Sequence, residues 1–86
     1  MYTLYTSKNC NHCKALKEYL HKNNINFEEK VLDQDFNTGD LIAETSRRGS
    51  PTLSFPVLIN GNSCYTTRQF IKNGKLDEMW LEENLW

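Results

Sequence analysis

Apolar residues recur along this chain with two different periods, and the switch between them marks out the elements. Tyr2 to Thr6 (YTLYT) is β-branched and aromatic, which predicts a strand. Ser7, Lys8 and Asn9 form a short loop. From Asn11 the spacing turns helical: Ala15, Leu16, Tyr19 and Leu20 share one face, while Lys14, Lys17, Glu18 and Lys22 take the other. Asn23-Asn24 is a natural stop, because Asn tolerates the left-handed conformation that ends helices. Asn26 to Leu32 (NFEEKVL) predicts a second strand.

After a polar, turn-rich stretch from Asp33 to Gly39, Thr38 is positioned to cap a helix from Gly39 to about Arg47, with Leu41, Ile42 and Thr45 facing inward. Gly49 and Pro51 break the segment from Arg48 to Ser54. Pro56 to Asn60 (PVLIN) is a short apolar strand. Asn60-Gly61 signals a hairpin, and Ser63 to Thr66 is the returning strand. The remainder predicts one final helical element, Thr67 to Lys72, a break at Asn73-Gly74, then Lys75 to Trp86. Leu76, Met79, Trp80 and Leu85 offer that last helix an apolar face. The order is βαβαββα: a mixed α/β sheet of four strands with a parallel first pair, flanked by three helices.

Length and charge narrow the picture. At 86 residues the chain is expected to form one domain, 1–86, with one modest core. The formal net charge of -1 gives no basic face for nucleic acid. No apolar run approaches the roughly 18 residues that span a bilayer. The start, MYTLYTSKNC, lacks the basic leader and apolar stretch of a signal peptide, so a cytoplasmic location and a monomer are expected.

Cys10-Asn11-His12-Cys13 holds two of the three cysteines. Such a pair can be a redox dithiol, part of a metal site or a structural disulfide. Its position at a strand–helix junction matters. Cys10 falls at the helix N-terminus, where unpaired N–H groups and the dipole favour a thiolate. Cys13 lies one turn on, on the same face. Cys10 can therefore attack a disulfide and Cys13 can resolve the product. A cationic His12 would stabilise the Cys10 thiolate and make the disulfide more oxidising; the plainer alternative is a histidine pointing into solvent. Lys8, beside Cys10, is expected to affect the chemistry of its thiolate. A zinc site needs four ligands. Only Cys10, Cys13, His12, His21 and Cys64 are soft candidates, with no second CxxC and no HxxxH, so no metal is expected. Cys64 is expected to be a small buried apolar residue. Tyr5 is expected to pack near the helix that carries the cysteines, and Trp80 and Trp86 to pack helices.

The chain resembles the glutaredoxins, within the thioredoxin superfamily. The carrying residues are Leu4-Tyr5-Thr6 leading into Cys10-Asn11-His12-Cys13, then Ser54-Phe55-Pro56-Val57-Leu58-Ile59-Asn60-Gly61, then the terminal region with Gly74-Lys75-Leu76. One strand precedes the CxxC, as in glutaredoxins; classical thioredoxins begin with a further strand and helix. The resemblance implies a thioredoxin-like, glutaredoxin-type fold and a thiol–disulfide oxidoreductase acting on protein disulfides or glutathione mixed disulfides. It implies glutathione as the reductant, a cis Pro56 against the cysteine pair, and a Phe55 backbone free to meet an extended peptide or glutathione.

Arg47 or Arg48 then suits the glycine carboxylate of glutathione, although arginines also favour helix C-termini. The segment around Thr66 and Thr67 corresponds to the one that receives the γ-glutamyl carboxylate. The departures are specific. The common CPYC is CNHC here. The basic residue that many relatives carry three positions before the first cysteine is Ser7. The Gly-Gly-x-Asp before the last helix is replaced by Tyr65-Thr66-Thr67-Arg68. Ser54-Phe55-Pro56 is similar to the NrdH-type redoxins, which take electrons from thioredoxin reductase and serve ribonucleotide reductase. A non-enzymatic zinc or interaction module is the alternative from another class.

Overall fold

The computed structural model describes residues 2–49 and 51–85. Trp86, expected to pack a helix, lies outside the described residues.

Strand β1 (Tyr2–Thr6) is central. It pairs in parallel with β2 (Phe27–Val31) and antiparallel with β3 (Val57–Asn60), and β3 pairs antiparallel with β4 (Ser63–Tyr65). The strand order is β2-β1-β3-β4. This is the mixed four-stranded sheet expected from the sequence. Helix α1 (Asn11–Lys22) crosses over from β1 to β2, and α2 (Thr38–Arg47) leads from β2 towards β3.

Successive residues of β1 face opposite sides of the sheet. Leu4 packs with Leu16, Tyr19 and Leu20 of α1 and with Leu58, Phe70, Leu81 and Leu85. Tyr5 faces the other layer, with Phe36, Leu41, Val57, Ile59 and Cys64. Tyr5 thus packs beneath α2, not near the helix that carries the cysteines. Its ring meets Phe36 edge-on at 4.9 Å. Cys64 is buried, as expected, and burial pushes its thiol up from the ordinary range while Arg48 opposes the shift.

The caps differ from the sequence reading in one place. Asn37, not Thr38, caps α2: its side chain accepts from Asp40 N–H at 2.8 Å, and Asp40 Oδ2 accepts from Asn37 N–H at 3.1 Å. This reciprocal pair satisfies donors that the first turn leaves open. Leu41 and Thr45 are fully buried, but Ile42 is 41% exposed. One position round from Leu41, it has turned off the narrow inward stripe. At the end of α1, Asn24 adopts a left-handed φ of 57°, as the Asn pair suggests.

The C-terminal third departs most. The helix expected over Thr67 to Lys72 is a single turn, α3 (Thr67–Phe70). Ile71–Lys72 (β5) and Lys75–Leu76 (β6) pair as a two-stranded hairpin, so the stretch read as a helix break is a β-turn. Asn73 (φ 54°) and Gly74 (φ 75°) both take the positive φ that such two-residue turns require. Helix α4 (Glu78–Leu85) follows, giving four helices where three were expected. Its inward residues are Leu81 and Leu85, with Trp80 partly buried; Met79 is 72% exposed.

Candidate active site

Asn9, at φ 59°, turns the chain out of β1 and into α1. Left-handed backbone is tolerated by Asn better than by most residues. Cys10 is the N-cap of α1, and its Sγ accepts the backbone N–H of Cys13 at 3.1 Å. The helix therefore points a donor at this sulfur, and its dipole favours negative charge at the same place. Cys10 and Cys13 are joined as a disulfide, with Cα atoms 5.2 Å apart. Cys10 is partly exposed, whereas Cys13 is 3% exposed. The pair is thus asymmetric: Cys10 is the more accessible residue and Cys13 the shielded one.

His12 is half-buried, and its ring makes a solvent-exposed contact. Its Nε2 lies 3.0 Å from the Gly74 carbonyl oxygen at the tip of the β5–β6 hairpin. A carbonyl only accepts, so Nε2 carries the proton and donates. Lys8 is exposed in the loop before Cys10.

The Phe55–Pro56 peptide bond is cis, as the resemblance implies, and Pro56 is fully buried. Among the described residues, no hydrogen bond engages the Phe55 backbone. The loop before it is anchored by Thr45. This hydroxyl is fully buried, donates to Leu41 O at 2.8 Å, and accepts Thr52 N–H at 3.1 Å.

The two arginines are occupied. Arg48 donates to Gly61 O and Glu44 O, each at 2.8 Å, and to Glu44 Oε2 at 2.9 Å. Arg47 also pairs with Glu44. Hydrogen bonds from Arg48 and Arg47 hold the Glu44 carboxyl below the ordinary carboxylate range. With Asn62, the arginines line a cavity that does not include the cysteines. Thr66 is buried, and Gln69 Oε1 accepts its N–H at 2.7 Å. Thr67, Arg68 and Gln69 line a cavity of 530 Å³ with Pro51, Thr52 and Ser54.

A separate 320 Å³ cavity holds both cysteines, and Thr6, Lys17 and Glu29 help to line it. Sequence reasoning passed over these three. Only the parallel register, which sets Leu4 opposite Glu29, brings the carboxylate to the α1 face of the sheet. No cluster of three or more His, Cys, Asp or Glu side chains able to hold a metal occurs among the described residues.

Comparison with known proteins agrees with this geometry. The family model described as Glutaredoxin matches residues 2–65. Glutaredoxin 1 from Francisella tularensis, solved with cacodylate, superposes with a TM-score of 0.65 at 20% identity, over 98% of this chain and 90% of that one. The glutaredoxin of Archaeoglobus fulgidus gives 0.61 at 23% identity, over 94% and 82%. A thioredoxin-like protein gives 0.61 at 21%, over 77% and 85%. No curated protein matches the chain. The structural neighbours establish a thioredoxin-like fold. The family match spans β1 through β4 and includes the cysteine pair, which stands at disulfide distance as thiol–disulfide oxidoreductase chemistry requires. The chain belongs to the glutaredoxin family.

Proposed function

We propose that the chain reduces protein disulfides and glutathione mixed disulfides by a dithiol route. The Cys10 thiolate attacks the substrate disulfide. Cys13 then attacks Cys10, expels the bound thiol and leaves the Cys10–Cys13 disulfide. Glutathione restores the dithiol, in a reducing cytoplasmic setting and from a monomer. The observation that carries this reading is the asymmetry of the pair: a partly exposed Cys10 at the helix N-cap and a buried Cys13 one turn on. The open Phe55 backbone supports docking of an extended substrate, and the Thr67–Arg68 cavity supports a carboxylate-bearing one.

An NrdH-type redoxin, reduced by thioredoxin reductase and serving ribonucleotide reductase, is the second reading. The Thr66 N–H and the Arg48 guanidinium are already engaged within the protein, which favours a donor other than glutathione. A reduction assay that supplies either glutathione with its reductase or thioredoxin reductase separates the two. Turnover with glutathione supports the first reading. Turnover with thioredoxin reductase alone supports the second and rejects the first.

A further inference from the structure

The second step of the dithiol route raises a proton problem. Only a thiolate attacks a disulfide, and Cys13 is 3% exposed, so bulk water reaches its thiol poorly and a group lining the cavity around it is well placed to take its proton. Of the residues lining the 320 Å³ cavity, Glu29 of β2 is the one carboxylate. The other charged groups there are Lys14 and Lys17 of α1; β1 contributes Thr6, and the loop contributes Ser7 and Asn9.

Glu29 is held from two elements. Thr6 Oγ1 donates to its Oε2 at 2.9 Å, and Lys17 Nζ lies 3.2 Å from Oε2 and 3.4 Å from Oε1. Thr6 is buried, and its hydroxyl comes only within 3.5 Å of its other acceptor, Lys30 O. The ion pair with Lys17 is about one-third exposed on both sides, so it adds little to stability. Its effect is to fix the carboxylate where the cavity also reaches Cys13.

We propose that Glu29 accepts the Cys13 proton during resolution, through the solvent of this cavity, with Thr6 and Lys17 as positioning residues. The inference rests on the dithiol reading above, with Cys13 as the resolving thiol. In the step, the Cys13 S–H proton passes to a Glu29 oxygen. The Cys13 sulfur forms a bond to Cys10 Sγ, and the bond from Cys10 to the substrate sulfur breaks. The substrate leaves as a thiolate with the electron pair and then takes a proton from the Glu29 carboxyl. Two electrons leave the dithiol and reduce the substrate disulfide.

The test uses a peptide whose single cysteine carries a thiopyridyl disulfide. Attack by Cys10 releases thiopyridone, read by absorbance. The Cys10–peptide adduct is then followed by acid quench and intact mass. Glu29→Gln keeps the shape and an acceptor for Thr6 but takes no proton. It is expected to release thiopyridone at the wild-type rate, while its adduct decays about 100-fold more slowly near neutral pH, the lower end of what a positioned acid or base supplies. The difference is expected to narrow as pH rises and Cys13 ionises unaided. Lys17→Met, which removes the ion pair but leaves the carboxylate and its Thr6 hydrogen bond, is expected to slow adduct decay measurably but clearly less than Glu29→Gln. Wild-type adduct decay in Glu29→Gln overturns the proposal. So does equal slowing by Lys17→Met, which makes the pair a structural tie. A wild-type adduct that never decays instead rejects the dithiol reading itself.

Discussion

The backbone N–H of Cys13 donates to Cys10 Sγ across 3.1 Å, so the first turn of α1 binds the sulfur proposed to begin the reaction. A donor and a helix N-terminus both stabilise the thiolate. In the reduced protein, Cys10 is therefore expected to ionise below the roughly 8.5 of a free cysteine. Alkylation rates against pH, with the modified site located by mass, check this. Faster alkylation of Cys13 than of Cys10 contradicts it.

His12 ties α1 to the hairpin tip through Gly74 O. His12→Ala is expected to cost about 0.5–1.5 kcal/mol of stability, the ordinary worth of one hydrogen bond. If the imidazole tunes the Cys10 thiolate, its loss also makes the reduction potential more negative. Equilibration with a glutathione redox buffer measures this, and an unchanged potential rejects the tuning role of His12.

Thr45 holds the loop that leads to Phe55 and Pro56. Thr45→Val keeps the volume but leaves Thr52 N–H without its acceptor. A loss of about 0.5–1.5 kcal/mol in urea unfolding is expected, the ordinary worth of one hydrogen bond. A midpoint equal to wild type contradicts the assigned role.

Glu44 gives a pH signature. Its folded carboxyl lies below the ordinary 4.5 because hydrogen bonds from Arg48 and Arg47 favour the charged form. A depressed value means that the unfolded chain binds the proton more readily. The ion pairs thus contribute fully above that ordinary value, and the contribution fades as the pH falls from there through the folded value. The stability gap between wild type and Glu44→Gln is expected to be small at neutral pH, since the side chain is 34% exposed and solvent screens its pairs, and to close in acid. Urea midpoints across that range test it.

Much of this was readable in the sequence, and the failures have physical causes. The β1–α1 junction was legible because strand and helix periods meet at Cys10, and Pro56 because its setting matched a known one. The hairpin at Asn73-Gly74 was hidden because its strands are two residues each, too short to show a period. In α4, Met79 and Leu81 compete for the inward face, and only packing decides. Leu81→Ala is accordingly expected to cost about 2–5 kcal/mol, and Met79→Ala no more than about 0.5. Chemical denaturation of both separates the fold described here from the face expected over Lys75 to Trp86. Glu29 was invisible for another reason: its nearness to Cys13 depends on the register of β1 and β2, which no local pattern encodes.

The most direct measurement is turnover of a glutathionylated peptide by the wild type, Cys10→Ser and Cys13→Ser, with glutathione and, separately, thioredoxin reductase as donor. Cys10→Ser is expected to abolish turnover with either donor, while Cys13→Ser keeps part of it with glutathione, because that route runs on one thiol. Full activity in Cys10→Ser would contradict the account.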